Sequence, residues 1–406
     1  MISRLLSILV LGAALLCSPK VNAQTVVLKP LADARLRYES VDQAPNPADA
    51  DAITARIRTG VSVTRERLSA LIESEATLAI GRRYFDGVHG NSAYPTVGDP
   101  QNIEINRAQL SYVLPGQGSV TVGRQLLELA DQRFVGSAAF RQNEQTYDAV
   151  HVTWSGLPKL TADISYVWSV RTVNGINGRG AKQQAISGNN LFALLGYATP
   201  VGTLTGFAYV VDADEAATQS FRLSSQTYGA RFAGAVTVKP GLKLGYVASW
   251  ARQSAYHRNP NAYTAHYYLA EGSLSGSIVT ATVGYEVLSA DDGVALTSFQ
   301  TPYASLFKFQ GWTDRFTTTP PDGVRDLYVT VGAGRKKNGR VSGLNMLASW
   351  HRFESDRRVR HYGDELNLLV SASFGQTTLS ARWARYHADS FATDTQKSWL
   401  TAEWSL

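Results

Sequence analysis

The sequence predicts an all-β protein, a transmembrane antiparallel up-and-down β-barrel of about 18 strands. Three observations lead there. The first is strict alternation: in LKLGYVASWA (242–251), Leu242, Leu244, Tyr246, Ala248 and Trp250 take every second position, separated by Lys243, Gly245, Val247, Ser249 and Ala251. Successive side chains on a strand point to opposite faces, so this pattern separates a greasy face from a small or polar one. The second is the spacing of the runs, whose connections alternate long and short along the chain. The third is the character of the second face. Between Leu160, Ala162, Ile164, Tyr166, Trp168 and Val170 lie Thr161, Asp163, Ser165 and Ser169. Between Tyr228, Ala230, Phe232, Gly234 and Val236 lie Thr227, Gly229, Arg231, Ala233 and Thr237. A soluble sandwich would fill that face with apolar side chains; a barrel around an aqueous lumen would not.

Taken in order, the alternating runs fall near 31–41, 52–63, 68–81, 103–113, 120–128, 146–154, 160–171, 191–198 and 203–211, then 227–237, 242–251, 263–271, 278–288, 325–334, 341–353, 365–373, 378–386 and 398–406. Each is close to the roughly 9–11 residues a tilted strand needs to cross a bilayer. The short connections carry turn chemistry: TRER (64–67), LPGQGS (114–119), SGLPK (155–159), TPVG (199–202), VKPG (238–241), KKNG (336–339) and FGQT (374–377). The long ones include 82–102, 129–145, 172–190, 212–226 and 289–324. Short periplasmic turns and long outer loops distinguish outer-membrane barrels, and an even strand number returns both termini to the periplasm.

Composition agrees. The 406 residues include 34 Gly, 19 Tyr and 8 Trp but only 1 Cys, and 18% are charged against roughly 25% in soluble domains. A basic start, the apolar run LLSILVLGAALLC and the small-x-small site at VNAQ predict a signal peptide over 1–23, cut between Ala23 and Gln24. The remaining barrel domain, 24–406, has no cysteine and needs no disulfide. Loss of Arg4 and Lys20 lowers the formal charge from +6 to +4. So modest an excess, on an exported chain, argues against nucleic acid; it fits a mixed polar surface or, more sharply, a charged cavity lining. Past the signal peptide no apolar run approaches the roughly 18 residues of a membrane helix. The expected location is the bacterial outer membrane, with lipid as the surrounding partner.

Aromatic residues fall at two depths, Tyr112, Trp154 and Trp404 toward the periplasm and Trp168, Trp250 and Trp350 toward the outside, as girdles at both interfaces require. The final run, SWLTAEWSL, puts Leu400, Ala402, Trp404 and Leu406 on the lipid phase. It is similar to the C-terminal signal that such barrels present to their insertion machinery, although it ends in Leu406 rather than an aromatic residue.

ARLRYESVDQ (34–43) followed by DADAITARIRTGVSV (49–63), the segment VGRQLLELADQRFVGSAAFRQNEQTYDAV (122–150) and SFQTPYASLFKFQGWTDRF (298–316) resemble an opening hairpin, a central strand–loop–strand and a late loop of the alginate-export family of outer-membrane barrels. The resemblance implies an 18-stranded barrel with an arginine-rich lumen, which in the family's namesake passes an anionic polyuronate outward.

The residues themselves place the site in the lumen. Parity sends Arg35, Arg37, Arg56, Arg58, Arg107, Arg171, Arg231 and Arg382 inward, together with Glu73, Glu75, Glu286 and Glu403. Arg124 is ambiguous, because Val120 and Val122 on the same phase read as lipid-facing. Two arrangements are open. Arg56 and Arg58 beside Glu73 and Glu75 form a cross-strand ion-pair ladder that stiffens the wall, or arginines face carboxylates across a constriction that screens solutes. Arginine rather than lysine suits two-point contact with carboxylates. The 289–324 loop carries Phe307, Phe309, Trp312 and Phe316 and is expected to fold inward as the constriction, since that apolar segment is costly in water. No cofactor or metal is expected: the seven histidines show no HExxH or Cys/His spacing, and GAGRKKNG (332–339) lacks a P-loop's Gly-Lys-Ser/Thr. The sequence therefore reads as a channel of the alginate-export type for anionic saccharides or other small anions, with a general diffusion porin as the alternative and an outer-membrane enzyme a distant third.

Overall fold

A computed structural model describes residues 26–335 and 341–406. The signal peptide with its cleavage site, and the KKNG turn, lie outside the described residues. The strands in chain order are β1 (Val26–Gln43), β2 (Ala50–Arg65), β3 (Leu68–Arg83), β4 (Asn102–Leu114), β5 (Gly118–Gln125), β6 (Thr146–Trp154), β7 (Leu160–Arg171), β8 (Ala185–Thr199) and β9 (Gly202–Val211), followed by β10 (Ser225–Lys239), β11 (Leu242–Ala255), β12 (Thr264–Ser275), β13 (Val279–Leu288), β14 (Val324–Arg335), β15 (Gly343–Glu354), β16 (His361–Phe374), β17 (Thr377–Ala388) and β18 (Thr395–Ser405). Each strand pairs antiparallel with the next, and β18 returns to β1, from Thr395 opposite Gln43 to Ser405 opposite Asp33. The sheet is a closed barrel, as the sequence predicts.

The expected strands all form, and they differ mainly in length: β1 and β12 extend further toward the short-turn side, and others toward the outer side. β8 starts at Ala185 and β16 at His361, earlier than the apolar alternation starts, because pairing continues through polar residues above the lipid belt. β5 stops at Gln125, and the chain beyond it turns into the barrel. Gly123 makes that end possible: its φ is +114°, and a Cβ there would lie 2.3 Å from the Ala108 carbonyl oxygen.

The outer face is aliphatic. Leu36, Ile57, Ile72, Leu110, Leu195 and Leu400 are each roughly half exposed, and all six tryptophan and tyrosine residues of the expected girdles are exposed. Only lipid covers such a surface, and a closed barrel satisfies every strand's backbone groups within it. The chain is an outer-membrane β-barrel. The predicted orientation is tested by cysteines placed singly at Leu157, in a short turn, and Val294, at the tip of a long loop. On whole cells an impermeant thiol reagent should modify the Val294 position and spare the Leu157 position; the reverse pattern inverts the topology.

Candidate functional site

The inner face is not an open lumen lined by side chains. Arg37, Thr77, Glu75, Glu286 and Asn367 all belong to inward phases of their strands, yet each is almost fully buried. Two loops cover them.

Residues 126–145, between β5 and β6, form a strap that crosses the barrel. On one side the Arg231 guanidinium of β10 lies 3.1 Å from Asp131, and Arg133 reaches Glu286 of β13 at 2.7 Å. On the other side the strap zips onto β1–β4. Arg58 donates to Glu144 at 2.7 Å, Gln142 donates to the Thr54 hydroxyl at 2.8 Å, and the Thr77 hydroxyl donates to Asn143 at 2.7 Å. Arg35 Nη1 donates to the carbonyls of Ala139, Phe140 and Arg141 at 3.0–3.2 Å. These backbone carbonyls would otherwise be unsatisfied away from water.

Residues 289–323, between β13 and β14, pack onto the strap, as expected of the aromatic loop. Phe307 stacks on Phe140 and on Trp312, and the buried Trp399 of β18 stands edge-on to Phe140 and Phe307. The Arg133 guanidinium lies 4.9 Å from the Phe309 ring. The backbone N–H groups of Trp312 and Thr313 and the Thr313 hydroxyl all donate to Glu365 of β16. Phe307, Phe309 and Trp312 therefore pack inside the barrel, against a strap to which the sequence assigned no such role.

Two ionic pins hold the loops. The first is Arg133, which bridges Glu286 on β13 and the Thr301 hydroxyl of the second loop, while Tyr267 donates to Glu286 at 2.9 Å. Burial alone would weaken the Arg133 charge; the field of Glu286 outweighs it and holds the guanidinium more firmly protonated than usual. The second pin joins three loops. Arg141 of the strap and Lys397 of β18 lie 2.6 and 3.0 Å from Asp314 of the second loop, and Asp99 of the β3–β4 loop accepts the Gln142 N–H at 2.8 Å. Burial would raise the Asp314 pKa, but Lys397 and Arg141 together push it below the ordinary carboxylate value. A depressed carboxylate stabilises the docked state above its unfolded pKa and loses that contribution as pH falls through its folded value. Loop docking measured by protease resistance should accordingly be unchanged between pH 7 and 5 as far as Asp314 is concerned. Asp314→Asn should loosen it at both pH values.

Besides Arg231, which pairs with Asp131 of the strap, the predicted arginines divide into three groups. Arg58 pairs with Glu75 at 2.6 Å, Arg107 with Glu73 at 2.6 Å, Arg56 with Asp33 at 2.7 Å, and Arg35 with Glu403. Arg37 lies 3.5 Å from Asp99. This is the cross-strand ladder, with Arg58 and Glu75 directly opposite in register.

Arg171, expected in the lumen, and Arg124, whose phase is ambiguous in the sequence, both lie at a sheet edge instead. β5 pairs with β4 only as far as Ala108, leaving the outer stretch 102–107 of β4 without that neighbour. Arg124 donates to the free Ile105 carbonyl at 3.0 Å and pairs with Asp148 at 2.8 Å; Arg171 bridges to Glu104 at 3.0 Å. Both seal an open sheet edge.

Arg382 stands apart. It is half-buried on β17, its guanidinium lies 5.4 and 6.0 Å from the Phe140 and Trp312 rings, and no carboxylate or carbonyl accepts from it among the described residues.

Each histidine meets an aspartate. The buried His351 lies 3.0 Å from both Asp326 and Ser349, the order of groups in a hydrolase triad. Ser349 also bonds Thr330 at 2.7 Å, and the surrounding backbone N–H groups belong to the β14–β15–β16 ladders, leaving no oxyanion hole. These bonds fasten β14 to β15. Among the described residues no cluster of three or more His, Cys, Asp or Glu is arranged to hold a metal.

No protein-family model matches the chain, and neither does any curated protein. Solved structures share the fold. Acinetobacter baumannii OccAB4 is 13% identical with a TM-score of 0.70, covering 95% of this chain and 100% of that one. Pseudomonas aeruginosa OccK9 (OpdG) is 13% identical with a TM-score of 0.70, covering 93% and 98%. The outer-membrane protein opdK of Pseudomonas aeruginosa is 13% identical with a TM-score of 0.68, also covering 93% and 98%. At this identity the likeness extends to the barrel architecture over nearly the whole chain.

Proposed function

We propose that the protein is an outer-membrane channel for small anionic solutes, carboxylate-bearing saccharides among them, in keeping with its resemblance to alginate-export barrels. It carries no catalytic role in this reading, requires no cofactor, and reaches the membrane through the insertion machinery that reads its last strand. The observation that carries the reading is Arg382, an inward cation that makes no direct ion pair beside the aromatic faces of the constriction and feels Glu403 only at a distance, where every other inward arginine of the sequence prediction contacts a carboxylate. A fixed charge in a narrow, poorly hydrated passage concentrates the opposite ion. The extensively paired ladder favours the second reading, a general diffusion porin, since paired charges add little net field.

Liposome swelling separates the two. Glucuronate should enter faster than glucose, which is of similar size, and Arg382→Gln should remove the advantage while leaving glucose entry unchanged. Equal entry of the two sugars in the unaltered protein favours the porin.

A further inference from the structure

The two mouths of the barrel carry different charge. At the ends with short turns, Lys29, Arg67, Lys159, Lys239, Lys243 and Arg335 are all exposed. The carboxylates toward these ends are Glu66, in the β2–β3 turn, and Glu403 near the end of β18, which Arg35 engages. Just inside, Asp163 is matched by His151 at 2.9 Å and Glu271 accepts from the Tyr328 hydroxyl at 2.6 Å. Lys29 and Lys243 fall on the inward phase of their strands, since Lys243 lies in register with Thr237 and Ser275, below Ser249 and Arg231. The outer rim is different: it carries both signs as neighbours, with Arg83 beside Asp51, Arg258 beside Asp214, Arg325 beside Asp356 and Arg352 beside Glu354. Charges paired that closely largely cancel at a distance, whereas a one-signed ring does not.

Beneath the strap the periplasmic half of the barrel opens into a cavity of about 620 Å³, lined by Ser119, Thr153, Thr161, Asp163 and Thr205 and roofed by Ala130. The exposed cations thus stand around the mouth that leads to this vestibule and, above it, to the strap.

We propose that the periplasmic mouth is an anion-collecting entrance, so that the channel passes anions outward more readily than inward. The inference rests on the channel reading and adds a polarity to it. The ring raises the anion concentration at one mouth only. When the voltage drives anions from that mouth, the passage fills with carriers; when it drives them from the outer rim, supply is not enriched and the passage is depleted. No solute is moved against its gradient, and the effect is a difference in conductance between the two directions. It fades as salt shortens the Debye length from about 10 Å at 0.1 M to about 3 Å at 1 M.

The test is current rectification in planar bilayers, with orientation fixed by blocking a Val294→Cys channel from one side with a bulky thiol reagent. In 0.1 M KCl the current at the polarity driving Cl⁻ from the periplasmic mouth outward should exceed the opposite current by about twofold, falling toward equality at 1 M as screening removes the field. Lys29→Glu, Lys239→Glu and Lys243→Glu together should abolish or reverse the asymmetry. The corresponding glutamines should halve it, guarding against misfolding of the charge-reversed protein. Symmetric currents in an anion-selective channel overturn the proposed polarity and leave the channel reading standing. A cation-selective or non-conducting barrel overturns the channel reading itself.

Discussion

Replacing Arg133 with alanine should raise single-channel conductance severalfold while the barrel still inserts and resists unfolding by heat. Arg133 is the strap's anchor on β13, and its removal strands Glu286 in a site with little access to water. Breaking a buried ion pair by deleting one partner costs about 3–5 kcal/mol, because the remaining charge is left uncompensated. The barrel does not have to bear that cost. Undocking the strap rehydrates Glu286, so the expected response is release of the loop rather than unfolding of the wall. Arg133→Lys should fall between, since lysine keeps the charge but not the two-point contact with Glu286 or the reach to Thr301. Conductance equal to the unaltered protein, with a lower melting temperature, would make Arg133 a wall residue and leave the strap fixed by its other contacts.

Substituting residues 302–316 with a short Gly-Ser linker should have an effect of similar size by a different route. That segment supplies the Phe307–Trp312 stack on Phe140 and the three donors to Glu365. It also supplies Asp314, the carboxylate that Arg141 and Lys397 share. With it gone, conductance should rise, and Arg141 and Lys397 should lose their closest carboxylate while Glu39 and Asp99 remain nearby, so anion preference should strengthen modestly at low salt. A wider passage with weaker anion preference would mean that Glu365, freed of its donors, dominates the exposed wall.

The strands were legible because their information is local. Alternation within ten or so residues sets which side chains meet lipid, and a charge placed on that phase at the bilayer midplane costs about 2–4 kcal/mol. The Arg58–Glu75 and Arg107–Glu73 pairs were half legible: adjacent strands and shared phase place arginines beside carboxylates, while the register that puts Arg58 opposite Glu75 is set by the tight β2–β3 turn that pairs Arg65 with Leu68. The strap was not legible. Residues 126–145 supply Leu127, Leu129, Phe134 and Val135 to the buried apolar cluster, but what fixes their path across the barrel are polar partners far away in sequence: Glu144 to Arg58, Arg133 to Glu286, Arg141 to Asp314. Arg124 and Arg171 failed for a related reason. Phase reports the face a side chain takes, and it is silent on whether a neighbouring strand ends early and leaves an edge to be sealed.

The account stands most directly on the sign of the charge that limits passage. Reversal potential in a tenfold KCl gradient, at low ionic strength on the dilute side, reads that sign without assuming any solute. The unaltered channel should reverse at a potential that reports chloride preference, and Arg382→Gln should move it toward zero at low salt while leaving it nearly unchanged when both sides exceed about 1 M, where the Debye length is about 3 Å. A potassium-preferring potential in the unaltered protein, or one indifferent to Arg382 at low salt, would contradict the assignment of an anion channel.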